Sequence, residues 1–218
     1  MSITLLIATS NAGKLKDFRT AALHSPVQIA AMPGLDALVA PEETGTSFAA
    51  NARLKSEFYS LHCPGQLVIA DDSGLEVEAL SGAPGVRSAR YADDANFWPA
   101  THDGQSPHTG TWTTDERNNA YLLHQMQGAS TQAARYRCVL SLAKDGVEIA
   151  AAPGVLEGQI LTEPHGSLGF GYDPLFFVPE IGLTMAEVDP ETRLRLSHRG
   201  AALRALLAQL PAQRIKGL

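Results

Sequence analysis

The chain has little cysteine: Cys63 and Cys138 are the only two in 218 residues. That leaves no disulfide framework and no cysteine zinc site, and a reducing cytoplasm is the expected home. Positive charge is also short, with 17 Lys and Arg against 23 Asp and Glu and a formal net charge of −6. A protein that coats polymeric nucleic acid needs a basic footprint, so no such partner is expected, while a small anionic ligand met by locally gathered cations stays open. The N-terminal apolar run, Ile3 to Ala8, lacks a basic leader and falls far short of the roughly 18 residues that span a bilayer. It reads as a buried first strand, and no membrane association is expected. Internal repeats and low-complexity segments are missing as well. What is there is ordinary for a globular protein: 44% hydrophobic and 18% charged residues, in a length that suits one large domain or two tightly joined lobes.

Ile3 to Ala8 ends at Thr9, Ser10, Asn11, and Lys14 to Leu23 then carries helical spacing, which predicts strand, turn, helix. Thr46 or Ser47 can cap a second helix running to about Leu61. Leu67 to Ala70 predicts a buried strand, Asp71 to Gly74 an acidic turn, and Leu75 to Leu80 a half-buried strand. From Ser81 to Thr113 the composition shifts to Gly, Pro, Asp, His and Thr, which predicts a long irregular loop. Thr114 is a candidate N-cap for a helix to Gln127, with Asp115 and Glu116 in its first turn. Ala134 to Ala143 and Gly146 to Ala152 predict a hairpin turning at Lys144, Asp145, Gly146. Gln159 to Thr162 and Leu175 to Val178 predict further strands, and a last helix begins at Ser197.

The chemistry concentrates in five places. Thr9, Ser10, Asn11, Ala12, Gly13, Lys14 joins strand to helix, where backbone N–H groups and the positive dipole end suit a phosphate. It is not a P-loop, since Ala8 stands where the first loop glycine belongs and Leu15 replaces the magnesium-binding hydroxyl. Glu43 precedes a helix whose Asn51 and Lys55 share one face at i, i+4; a metal and a phosphate are possible ligands, and a solvated helix is the plain alternative. Adjacent Asp71 and Asp72 at the end of an apolar strand are costly unless paired or metal-bound. Magnesium, which prefers a few carboxylates, waters and phosphates, suits them together with Glu43, and a second carboxylate can orient and deprotonate the attacking water. Phe170, Gly171, Tyr172, Asp173 sit in a glycine-rich loop where Phe170 can stack on a base, while Asp173 can either bind ring N–H groups or hold the loop. His198 and Arg199 open a helix at the end whose dipole disfavours positive charge, so something anionic or carbonyl-rich should face them.

In order and spacing, Thr9 to Lys14, Glu43 with Asn51 and Lys55, Ala70 to Gly74, Gly82 to Tyr91, Phe170 to Pro174 and Ser197 to Gly200 closely resemble the inosine triphosphate pyrophosphatase family. The match covers nearly the whole chain. The resemblance implies one α/β domain over 1–218 with a long twisted mixed β-sheet flanked by helices, two lobes with the active-site cleft between them, and a homodimer. It implies hydrolysis of ITP, dITP and XTP to the monophosphate and pyrophosphate, with Mg2+ as cofactor. Residue by residue, Thr9 to Lys14 and Lys55 would contact phosphates, Glu43 and Asp72 would bind magnesium with Asp71 supporting the same site, and Asp72 would accept the proton. Ser73 matches a substrate-contacting position, Phe170 to Asp173 would enclose the base, and His198 with Arg199 would read its six-position carbonyl.

Two departures stand out. Arg193 occupies a substrate-facing position where the family usually has lysine, which keeps the charge but changes its geometry. Asp93 to Thr113 is longer than the family's usual connection and reads as a flexible insertion, despite His102 and His108. Two rival functions remain at this stage: a nucleotide-binding sensor without turnover, and an NTPase or phosphotransferase acting at the γ-phosphate.

Overall fold

The computed structural model describes residues 3–23, 25, 27–99 and 112–210. Most of the expected insertion, including His102 and His108, lies outside the described residues. The chain forms two compact units: Met1–Ser73, Arg137–Leu156 and Pro190–Leu218 make the first, Gly74–Tyr136 and Glu157–Asp189 the second. Seven strands form one sheet in the order β2-β1-β3-β4-β5-β6-β7. They are β1 (Ile3–Ile7), β2 (Val27–Ala31), β3 (Val68–Val77), β4 (Ala133–Lys144), β5 (Val147–Ile160), β6 (Phe176–Val178) and β7 (Leu183–Thr184). Pairing is parallel for β1 with β2 and β3 and antiparallel for β5 with β6 and β6 with β7, so the sheet is mixed. Six α-helices are described: α1 (Ala12–Ala21), α2 (Phe48–Leu61), α3 (Tyr91–Asp94), α4 (Thr114–Gln125), α5 (Pro190–Leu196) and α6 (His198–Ala208).

In the first unit, strand periodicity sorts the core into two layers, because successive side chains point to opposite faces. Leu5 and Ile7 of β1 join Ile69 of β3, Phe18 of α1 and Ala202, Leu203 and Leu206 of α6 in one buried cluster. Leu6 of β1, with Ala8 just beyond it, joins Val68 of β3, Tyr59 of α2 and Cys63 in another. Helices α1 and α6 therefore cover one face of these strands and α2 the other. Local caps fix where the helices begin: the Asn11 side chain accepts from the Lys14 N–H, Ser47 from Ala50 and Ser197 from Gly200, each satisfying an N–H that the first turn leaves open. Strand β5 meets α6 at Gly154, where a Cβ would lie 2.1 Å from the His198 carbonyl oxygen and 2.3 Å from the Ala202 nitrogen. Only glycine lets the start of that helix rest on the strand.

In the second unit, α4 begins one residue earlier than the sequence suggests. Thr113 is its N-cap, in a capping box with Glu116, so Thr114 is already helical. The buried Asn118 of α4 donates to the carbonyls of Ser88 and Ala89 and accepts from the Ala92 N–H. It ties α4 to α3 and to the 3-10 turn Gly85–Arg90. The expected irregular loop is thus partly helical, over 85–94, because Asn118 supplies the hydrogen bonds that short turns cannot make for themselves.

Two further expectations are corrected. Asp71 to Gly74 is no turn: β3 runs unbroken through it. Gly74 is there for close approach, since a Cβ would lie 2.3 Å from Ser88 Oγ and 2.6 Å from the Gly85 carbonyl oxygen. Gln159 and Ile160 are the end of β5, which Pro153, Gly154 and Gly158 made hard to read as one strand. The hairpin between β4 and β5 turns on Asp145 and Gly146 with φ of 51° and 84°, the two-residue geometry whose twist matches the flanking strands.

Candidate active site

The alternation that sorts the core also parts the two carboxylates of β3. Asp71 follows the parity of Ile69 and faces the α1 side; Asp72 follows Val68 and Ala70 and faces α2. On the first side, Lys14 Nζ lies 2.7 Å from Asp71 Oδ2, and Ser73 Oγ donates to the same oxygen over 3.1 Å. Arg199 of α6 in turn donates to Ser73 Oγ over 3.3 Å and lies 3.8 Å from Asp17 of α1. On the second side, Lys55 Nζ lies 2.6 Å from Glu43 Oε1 and 3.2 Å from Asp72 Oδ1. Asn51 donates to Asp72 Oδ2 over 3.1 Å, and its own oxygen accepts the Gly45 N–H over 2.8 Å.

The neighbourhoods shift the two groups in opposite directions. Burial by itself would raise the Asp71 carboxyl, but the charges of Lys14, Lys55 and Arg199 outweigh it and hold the group far below the ordinary carboxylate range. Burial wins at Asp72, where Lys55 and Asn51 offset it only in part and Glu43 adds to it, so that carboxyl is raised. The two adjacent carboxyls are thus driven apart in acidity, with Asp71 the stronger acid and Asp72 the weaker. Lys55 is itself raised, because Asp72, Asp71 and Glu43 together overcome its burial. His198 is pushed well below its usual value, first by burial and then by the Arg199 charge, so it is a neutral imidazole at neutral pH.

Two carboxylates that meet at one ammonium form a natural donor set for a divalent cation. Among the described residues no group of three or more His, Cys, Asp and Glu converges to hold a metal. Glu43 and Asp72 are the carboxylates that could hold a divalent cation here, with water and phosphate completing its shell. The structure does not bring Asp71 into direct company with that pair; its bonded oxygen serves Lys14 and Ser73.

The segment Thr9 to Lys14 forms the entry to α1, with Ser10, Asn11 and Ala12 exposed. Asn11 Oδ1 is committed to the cap, where it accepts the Lys14 N–H. Arg193 lies in α5, and its charge acts on Asp17 and His198. In the second unit, Asp173 turns out to hold its loop: one carboxylate oxygen accepts the Phe170 N–H and the other the Tyr136 hydroxyl. Tyr172 is buried and donates its hydroxyl to the Ser88 carbonyl. Of the four loop residues, Phe170 and Gly171 are the ones left partly exposed.

The sequence pairs Asn51 with Lys55 by helical spacing but gives it no role of its own, and it leaves Asp17 unmarked, although Asp17 stands three residues after Lys14 on the same helix.

Comparison with known proteins agrees with this geometry. The Ham1 family model matches residues 5–209. A dITP/XTP pyrophosphatase of Acidobacterium capsulatum is 60% identical over 97% of this chain and 100% of its own length, and one from an Exiguobacterium species is 43% identical over 94% and 96%. Among solved structures, a HAM1 protein from Coxiella burnetii superposes with a TM-score of 0.77 at 32% identity, covering 95% of this chain and 100% of that one. The Staphylococcus aureus Ham1 protein gives 0.73 at 34%, covering 98% of each chain. With the match spanning β1 to the end of α6, and with relatives and solved structures matched over nearly their full length, the chain belongs to the Ham1 family.

Proposed function

We propose that this protein hydrolyses non-standard purine nucleoside triphosphates, ITP, dITP and XTP, to the nucleoside monophosphate and pyrophosphate with Mg2+, and so cleanses the nucleotide pool. The observation that carries the reading is the pair Asp71 and Asp72, adjacent in β3 yet shifted in opposite directions: burial prevails at Asp72, while the charges of Lys14, Lys55 and Arg199 outweigh it at Asp71. The names of the relatives, dITP/XTP pyrophosphatase, support the same substrate class.

In this reading Asp72 accepts the proton of the water that attacks the α-phosphorus, a task favoured by its raised carboxyl. Asp71 stays ionised and fixes Lys14 at the start of α1, where Lys14 and the backbone of Thr9 to Gly13 meet phosphate oxygens. Lys55 neutralises charge on the departing pyrophosphate. Magnesium held by Glu43 and Asp72 would supply charge neutralisation at the phosphates. Phe170 stacks on the base, with Gly171 leaving room beside it. Neutral His198 and the Arg199 guanidinium donate to the six-position carbonyl, and Arg193 adds positive charge to their surroundings. Adenine carries an amino group at that position, so its pairing would leave donors facing a donor, a mismatch that discriminates strongly.

The negative net charge supports a small-molecule substrate over polymeric nucleic acid. Among the described residues no helix is long and apolar enough to cross a membrane, and Cys63 and Cys138 are unpaired thiols, which supports a cytoplasmic home. A homodimer, which sedimentation would check, completes the proposal.

The deciding experiment is a panel of ITP, XTP, dITP, ATP and GTP, with and without Mg2+, with products resolved. Monophosphate plus pyrophosphate from the first three, and none without Mg2+, is the expected result. Orthophosphate without monophosphate would overturn the assignment, and tight binding without any product would replace it with a sensor.

A further inference from the structure

Asp115 and Asn119 lie one helical turn apart on α4, and both reach the same residue of the glycine-rich loop. The Gly171 N–H donates to Asp115 Oδ2 over 2.7 Å, and the Gly171 carbonyl accepts from Asn119 Nδ2 over 3.0 Å. Both peptide groups that flank one α-carbon are therefore gripped by a single rigid element. Gly171 has a φ of 64°, and nothing stands within 4 Å of where its Cβ would be. The glycine is thus required for its conformation and not for lack of space, and such a residue is a swivel unless something restrains it.

The rest of the loop shows what the swivel would move. Tyr172 and Asp173 are buried and bonded to Ser88 and Tyr136, which anchors the C-terminal half. Phe170 stands on the other side of Gly171, tied by its N–H to Asp173. We propose that Asp115 and Asn119 are positioning residues that lock the Gly171 swivel and so present the Phe170 ring at a fixed angle to the purine base. The inference rests on the reading of Phe170 as a base contact. Its physical content is preorganisation: a ring held in its binding orientation loses less freedom when the ligand arrives. Asp115 is exposed, so removing its carboxylate opens no cavity, and Asn118 between them continues to anchor α4.

The test is steady-state kinetics on ITP, beside inhibition by inorganic tripolyphosphate, which has phosphates and no base. Asp115→Ala should raise KM for ITP about ten-fold, as expected for losing a hydrogen bond to a charged acceptor, with kcat within about two-fold and tripolyphosphate inhibition unchanged. Asn119→Ala should act in the same direction by less, because its amide is neutral. Asp115→Asn, which keeps an acceptor oxygen, should restore most of the affinity. Phe170→Ala serves as the reference. A raised KM in Phe170→Ala with no change in Asp115→Ala and Asn119→Ala overturns the positioning role and leaves the base contact standing. An unchanged KM in Phe170→Ala overturns the base contact itself, and the positioning role with it. A loss of tripolyphosphate inhibition in Asp115→Ala equal to the rise in KM also overturns the proposal, since that would place Asp115 at the phosphates.

Discussion

The two units hold their functional groups by different means. In the first, the chemistry-bearing side chains restrain one another: Lys14 with Asp71, and Lys55 with Glu43 and Asp72. In the second, the loop that carries Phe170 is held by hydrogen bonds from side chains without a proposed chemical step, several of them to its backbone: Asp115, Asn119, Tyr136 and Asp173. Where the proposed catalytic groups are also the scaffold, a substitution damages stability and chemistry together. Where scaffold and contact are separate residues, the two effects come apart.

The sharpest test of that contrast is Asp72→Asn. The side chain keeps its shape and one acceptor oxygen for Lys55 but no longer takes a proton, so kcat should fall about a thousand-fold, within the usual range for a general base, with ITP binding retained by calorimetry. Next in size is Lys14→Met. Asp71 is left buried without its closest cation, a loss of about 3 kcal/mol, at the low end for a broken buried pair because the lysine side chain is 21% exposed. Melting experiments across pH should show a definite sign. In the native protein the Asp71 carboxyl sits below its unfolded value of about 3.9, so its stabilisation is complete above that pH and is lost as pH falls through the depressed folded value. In Lys14→Met the folded value rises, so the gap in stability between the two proteins should narrow below about pH 4.

Smaller effects belong to the second unit. Phe170→Ala should raise KM for ITP about ten-fold, the size of one lost base stack, with the melting temperature scarcely moved. A cost to stability of more than about 2 kcal/mol in that variant would show that the ring is part of the core and would erase the contrast. Thr113→Ala removes a capping box and should cost about 1 kcal/mol of stability, with kcat unchanged. A drop in kcat there would show that the second unit also couples scaffold to chemistry.

What could be read from the sequence follows from how local its causes are. Helix α2 was legible to within a residue or so because Ser47 caps it and the apolar spacing runs to Leu61. The hairpin at Asp145 and Gly146 was legible because the turn type demands those residues. The candidate site was legible as a set of segments, since each carries its own chemical oddity. The continuity of β3 was not. Two carboxylates inside a buried strand are tolerable only beside Lys14 and Lys55, which lie 57 and 17 residues away in sequence. Asp173 was ambiguous for a related reason: its partner Tyr136 is 37 residues distant, and only the fold decides between holding the loop and touching a ligand. Helix α5 escaped notice because seven residues give too little periodicity to detect.

The unbroken course of β3 through Asp71 and Asp72 makes strand length as demanding as residue identity. A side chain's face depends only on whether its position is odd or even, so one residue added or removed between Ile69 and Asp71 would swing both carboxylates to the wrong sides. Asp71 would then face α2, and Asp72 would meet Lys14. Every residue of the site would still be present in the chain, yet the proposed proton acceptor and its neighbouring anion would have traded surroundings. The enzyme counts as well as reads.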